Sequence, residues 1–153
     1  MMKEESVKEY QISVTGCYTA FESSQVLKSE DVYNFALNLY DSSISCIEKA
    51  YMIMLNRSNK VIGYALVSIG GIDCCFIDKR VLLKYAIDTL ASSVILVHNH
   101  PSGSILPSRH DDLLTKSIKE AFDIIGIKFV EHLIITPNEY YSYSDRGRIS
   151  FVC

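Results

Sequence analysis

The sequence predicts an α/β domain in which a mixed β-sheet is layered with helices. Three observations carry that expectation. Apolar residues recur at helical spacing in three segments, each long enough to cover a sheet face. Strand-like runs lie between them, and Ser93-Val94-Ile95-Leu96-Val97-His98 is β-branched and almost continuously apolar, as a strand buried on both faces must be. The third observation is size. The chain has 153 residues, 48% hydrophobic and 22% charged, which suits one compact domain. A chain of this length buries roughly 68–70% of the surface its unfolded form exposes, so it can hold a core without disulfides. Strands interleaved with helices then imply a layered architecture.

Taken in order, residues 1–28 read as a short N-terminal extension with one strand, Tyr10-Gln11-Ile12-Ser13-Val14, and residues 29–153 as the domain. Ser29-Glu30-Asp31 opens a helix that lines up Val32, Phe35, Ala36 and Leu39, its acidic first turn suiting the helix dipole. Tyr51–Asn56 and Val61–Ile69 are strand-like and joined by Arg57-Ser58-Asn59-Lys60, a hairpin that Gly70-Gly71 ends. Asp78 can cap a helix from Lys79 to Leu90 with Val81, Leu82, Tyr85, Ala86 and Leu90 at helical spacing. After the central strand comes a loop rich in proline and glycine. Ser108 then caps a long helix from about Arg109 to Ile125, stopped by Gly126. Lys128–Thr136 reads as another strand and Tyr140–Tyr143 as a short last one.

Charge and composition exclude several functions. Fifteen Lys and Arg stand against 18 Asp and Glu, for a net charge of −3, so no global field attracts nucleic acid or an anionic membrane. Apolar stretches such as Ala50–Leu55 and Val94–Val97 fall far short of the ~20 residues that span a bilayer. Met1-Met2-Lys3-Glu4-Glu5-Ser6 lacks the apolar core of a secretory signal, so the expected address is cytoplasmic. Five cysteines, Cys17, Cys46, Cys74, Cys75 and Cys153, include no C-x-x-C pair and are expected to be reduced and mostly buried.

The chemistry concentrates in one stretch. Of four histidines, three lie between positions 98 and 110. His98 and His100 are two apart where a strand runs out, so both side chains can point to one side and share a metal ion. A catalytic zinc takes three protein ligands and keeps a fourth position open. The third could be His110 or Asp111, which project about 100° apart on a helix, so only one can face the site. Asp111 is preferred because Ser108-x-x-Asp111 sets a serine at the cap and a carboxylate three residues on. That spacing is equally a capping box, which requires no metal.

These residues carry a family resemblance. His98-x-His100, seven residues, Ser108, two residues and Asp111 match the H-x-H-x7-S-x2-D signature of the JAB/MPN/JAMM metalloprotease superfamily. The string His98-Asn99-His100-Pro101-Ser102-Gly103, with Pro107-Ser108, Asp111 and Thr115, resembles its RadC branch, and weaker similarity runs from about Ser29 to Ile149. The resemblance implies a curved mixed sheet of JAB/MPN type, related in architecture to cytidine deaminases. It implies one Zn²⁺ per chain held by His98, His100 and Asp111. It further implies a glutamate that serves the attacking water as general base, and Glu48, eight residues before Asn56, stands where RadC-like sequences carry it. Ser108 would donate to the oxyanion. The implied reaction is hydrolysis of peptide or isopeptide bonds in a peptide or protein substrate.

Departures and rivals bound this reading. Ser104-Ile105-Leu106 replaces the usual Asp-Pro-Thr at the rim, and Glu131 stands where the family has aspartate, as a structural position. Only some 30 residues precede the domain, so DNA binding by the helical extension common in the branch is not carried over, and a DNA-repair association rests on the family name. Lys79, Arg80 and Lys84, or Arg146 and Arg148, could form a local basic patch but read more simply as solvated faces. The tyrosines of Tyr140–Tyr143 could stack on a ligand or add a strand to a peptide. A base deaminase would need H-x-E and P-C-x-x-C, which the chain lacks. A non-catalytic MPN-type binding module is the rival from another class.

Overall fold

The computed structural model describes residues 25–71 and 76–149. Among them α1 spans Ser29–Leu37, β1 Lys49–Leu55, β2 Val61–Ile69, α2 Lys79–Asp88, β3 Ser93–Asn99, α3 Arg109–Ile125, β4 Lys128–Ile135 and β5 Tyr140–Ser142, with a 3₁₀ turn at Ser42–Ser45. The strands form one sheet in the order β2-β1-β3-β4-β5. β3 and β4 are parallel and the other neighbours antiparallel, so the sheet is mixed and flanked by helices as the sequence predicts. The expected strand at Tyr10–Val14 lies outside the described residues, as do Cys17, Cys74, Cys75 and Cys153.

Alternation along the central strands builds two cores. Val94 and Leu96 of β3, with Met52 and Met54 of β1 and Ile134 of β4, face α2 and α3 and meet Leu82, Ala86, Ile118 and Phe122. Ile95 and Val97, with Ile53, Leu55, Leu133 and Ile135, face α1 and meet Val32, Phe35 and Ala36. Because side-chain direction has period two, His98 continues the Val94–Leu96 side and points toward α3. The parallel β3–β4 pair needs a crossover, and α3 supplies it. Its N-terminus therefore stands over the carboxyl end of β3, where ligands of open α/β sheets collect.

Local chemistry sets the boundaries. In the β1–β2 hairpin, Asn56 Oδ1 accepts the Ser58 and Lys60 N–H groups at 2.9 and 3.0 Å, and Asn59 takes a left-handed φ of 56°. Asp78 caps α2 by accepting from the Arg80 N–H at 2.9 Å. α3 ends at Gly126, whose φ of 72° lets Ile127 N–H reach the Phe122 carbonyl.

Four expectations are corrected. α2 stops at Asp88, not Leu90, because Leu90 sits at φ 54° and the Ala91 N–H closes back on the Ala86 carbonyl. This is the glycine-type C-terminal motif built on a leucine, so the apolar spacing continues past the point where the helix has ended. Only Leu82 and Ala86 of that face are buried, while Val81, Tyr85 and Leu90 are exposed. α1 likewise ends before Leu39, which packs from the following turn. Of the cysteines expected to be mostly buried, Cys46 is the one among the described residues, and in the turn after the 3₁₀ segment it is exposed.

Glu131 pairs across from Ile95 and sits on the α1 face, away from His98. Its carboxylate accepts from Ser29 Oγ at 2.8 Å, Ser142 Oγ at 2.7 Å, and the His132 and Ser144 N–H groups at 2.8 and 3.1 Å, so it ties α1 and β5 to β4. Burial outweighs these bonds and raises its pKa above the ordinary value.

The helix end at Leu90 gives a stability prediction. A left-handed conformation costs a non-glycine residue about 1–2 kcal/mol, and the Leu90 side chain is 77% exposed, so little packing offsets it. Leu90→Gly should stabilise the fold by about 1 kcal/mol after glycine's greater unfolded-state entropy is counted. A raised urea midpoint with unchanged slope is the expected reading.

Candidate metal centre

Three elements converge at the carboxyl end of β3. His98 is the penultimate residue of that strand, and His100 follows it, still tied to β4 by its N–H to the Ile135 carbonyl at 3.1 Å. The loop from Pro101 to Pro107 then turns at Gly103, whose φ is 82°, and delivers Asp111 in the first turn of α3. One nitrogen or oxygen from each of His98, His100 and Asp111 lies within 4.8 Å of the others. His98 and Asp111 are buried and His100 is half-buried. His110 is exposed on α3, so Asp111 is the member of the pair that the fold turns inward.

The Asp111 carboxylate divides its work between its oxygens. Oδ2 accepts the Ser108 N–H at 2.7 Å and the Ser108 hydroxyl at 2.6 Å, and Ser108 Oγ accepts the Asp111 N–H at 3.1 Å. That is a complete capping box. Oδ1 meanwhile stands 3.2 Å from His98 Nε2, while Oδ2 is 3.7 Å from His100 Nε2. The capping reading and the ligand reading of this spacing thus describe the same side chain. Burial disfavours its charge, but the neighbouring imidazoles of His100 and His98 and the Ser108 hydroxyl hold it well below the usual carboxylate range.

The imidazoles are oriented for a cation. His100 Nδ1 lies 2.8 Å from the Ser104 carbonyl, which can only accept, so a proton is on Nδ1 and Nε2 is the atom turned toward Asp111 and His98. His98 Nδ1 contacts His132 Nε2 at 2.8 Å, and its Nε2 is 3.0 Å from His100 Nε2. Two nitrogens and a carboxylate oxygen at these distances repel unless a proton or cation stands among them. Burial lowers the His100 pKa, but Asp111, the Ser104 carbonyl and Glu48 more than reverse this and raise it. Two imidazole nitrogens and a carboxylate oxygen are the ligand types zinc takes, and three of them leave a position open.

Glu48 lies just before β1. Continuing the β1–β3 register, in which Ala50 pairs with His98, sets Glu48 across from His100. Its backbone is clamped to the end of β2, its N–H to the Gly71 carbonyl and its carbonyl to the Gly70 N–H. The side chain is buried, and that burial raises its pKa against the opposing pull of His98 and His100.

Here the chain can be compared with known proteins. A family model described as RadC-like JAB domain matches residues 26–148. The chain belongs to that family. It is 45% identical over 100 residues to a UPF0758 protein of Flavobacterium johnsoniae, covering 65% of this chain and 44% of the relative. It is 42% identical over 93 residues to one of Streptococcus sanguinis, covering 61% and 41%. A third, from Caldanaerobacter subterraneus, is 38% identical over 135 residues, covering 87% and 56%. The chain therefore spans about half the length of these curated relatives.

Two supporting residues were not singled out from the sequence. His132, on β4, backs His98. Asn99, the middle residue of His98-Asn99-His100, is fully buried and donates to the Ile44 and Ile47 carbonyls at 2.6 and 2.9 Å while accepting the Lys49 N–H at 2.7 Å. It anchors the backbone on both sides of Glu48 to the strand that carries His98. Its signal was its place between two candidate ligands, on the opposite face of the strand.

The basic clusters considered from the sequence are engaged locally. Arg80 binds Asp78, Lys84 binds Asp88, Lys79 reaches Ser117, Arg148 binds Asp112 at 2.6 Å, and Arg146 lies over the Tyr141 ring. No helix among the described residues is long and apolar enough to cross a membrane.

Asn99→Ala would leave two carbonyls and an N–H without their partner, at about 1–3 kcal/mol for each group that stays buried. We expect the variant to lose on the order of 3 kcal/mol and the Lys49 amide to exchange at least about tenfold faster with deuterium, with smaller changes in α2. Unchanged exchange at Lys49 would remove Asn99 as the anchor of the Glu48 segment.

Proposed function

We propose that this chain is a zinc-dependent hydrolase that cleaves peptide or isopeptide bonds in a peptide or protein substrate. The observation that carries the reading is the ligand set: the imidazoles of His98 and His100, each with Nδ1 engaged by a neighbour and Nε2 turned toward a buried, ionised Asp111. His98, His100 and Asp111 would hold the ion. Zinc, when bound in such a site, acts as a Lewis acid and lowers the pKa of water toward ~7.

The remaining work belongs to side chains. Glu48 takes a proton from the attacking water on its carboxylate and delivers it to the departing amine nitrogen. Burial raises its pKa above the ordinary glutamate value, the direction that strengthens it as a base toward the water. Ser108 gives its proton to Asp111 Oδ2 in the structure, so its service to an oxyanion requires the hydroxyl to turn away from that bond. A reducing cytoplasm suits an exposed free thiol at Cys46.

Elemental analysis paired with peptide and isopeptide cleavage tests this reading. The wild-type protein should hold about one zinc per chain. His100→Ala should lose metal and turnover together, whereas Glu48→Gln should keep the metal and lose kcat by about 10²–10⁴-fold. A wild-type protein that takes up no zinc at neutral pH overturns the metal reading. Normal turnover by Glu48→Gln overturns the role of Glu48 alone.

A further inference from the structure

His132 is fully buried on β4, and its ring stacks at 4.9 Å and 10° on Tyr143. Nothing in the ligand set or the proton transfers above uses it. Yet both its nitrogens are engaged at short range, Nε2 with His98 Nδ1 at 2.8 Å and Nδ1 with Thr115 Oγ1 at 2.6 Å. Thr115 Oγ1 is in turn 2.6 Å from the Asp111 backbone carbonyl.

The proton positions along this chain follow from its far end. Two oxygens 2.6 Å apart need a proton between them, and a carbonyl has none, so the Thr115 hydroxyl donates to Asp111. A hydroxyl carries one proton, so Thr115 Oγ1 must accept from His132 Nδ1–H. The two nitrogens of the fully buried His132 meet an imidazole and a hydroxyl, not a carboxylate that would hold a second proton, so with Nδ1–H given to Thr115 its Nε2 is an acceptor. His98 must therefore carry its proton on Nδ1. That leaves the His98 Nε2 lone pair facing Asp111 and His100.

We propose that Thr115 and His132 form a buried relay that fixes the tautomer of His98, His132 being a positioning residue rather than a ligand. Outer groups that take the second N–H of a ligating histidine are usually carboxylates or carbonyls, and their loss typically costs 10–100-fold in metal affinity. Here the outer group is a neutral imidazole, which could donate or accept, and the threonine hydroxyl removes that ambiguity. Run the other way, the chain would set the His98 proton on Nε2, in the place of the metal. The consequence for metal affinity rests on the zinc reading above. The tautomer itself does not.

Thr115→Val and Thr115→Ser separate this role from packing. Valine keeps the shape and loses the hydroxyl, whereas serine keeps the hydroxyl and loses a methyl group. The relay predicts that Thr115→Val weakens zinc about 10–100-fold in chelator competition. Thr115→Ser should stay near wild type. A packing role predicts the reverse order. Imidazole ¹⁵N shifts of the metal-free proteins supply the second reading. His98 Nδ1 should be protonated in the wild type and in Thr115→Ser, and unprotonated in Thr115→Val. A wild-type His98 without a proton on Nδ1 overturns the relay, even if Thr115→Val fails to fold. So does a folded Thr115→Val that binds zinc as tightly as wild type. A wild type that binds no zinc but shows the expected tautomer keeps the relay and removes the zinc reading.

Discussion

The site depends on one carboxylate that holds two positions at once. Asp111 closes the capping box of α3 with Oδ2 and faces His98 with Oδ1. A buried carboxylate is tolerated only where it is hydrogen-bonded and paired, and here the helix start supplies one set of partners and the histidines the other. The same bonds that end the orphaned N–H groups of α3 therefore fix where the carboxylate stands. Helix stability and site geometry are coupled through a single side chain. Any change at Ser108 acts on both.

The β3–α3–β4 crossover makes that coupling possible. A parallel pair obliges the chain to return over the sheet, and α3 returns over the face that His98 shares with Val94 and Leu96. One further element is brought in from the other side of β3. β1 runs antiparallel to it, so the start of β1, with Glu48, meets the end of β3, with His100. Asn99 then reinforces this meeting from the strand itself, binding backbone on either side of Glu48. Successive residues 98, 99 and 100 thus do alternate jobs, histidines toward α3 and asparagine toward the other face. Period-two geometry allows a run of three to serve both purposes.

Much of this was legible in the sequence because local rules and packing agree there. β2 and α3 have the expected bounds, since Gly70, Ser108 and Gly126 punctuate them with residues whose chemistry matches the conformation. α2 was misread at its end because Leu90 takes a conformation that sequence patterns reserve for glycine or asparagine. Cys46 was misread because a small thiol is usually buried, whereas here it follows a surface turn. The ligand set could be read from spacing, since histidines two apart on a strand and a carboxylate in the next helical turn are local features. The relay could not be read this way. His132 sits 34 residues from its partner in an apolar strand, and only the pairing of β4 beside β3 brings the two rings together.

The depth of the support around the ligand set is an argument about what the set is for. A histidine pair that served only packing would have no need of fixed tautomers, since neutral imidazole can donate from either nitrogen as its neighbours require. Here His100 is set by a backbone carbonyl and His98 by a chain that ends on another, so both lone pairs are turned to the same point. Without a cation or proton there, the arrangement is electrostatically unfavourable, and burial makes it more so. A fold that holds two lone pairs and an ionised carboxylate against one another is organised around a positive charge. Under the proposed function, Glu48, held on a backbone segment pinned by Asn99, is the group to which a water at that charge would give up its proton.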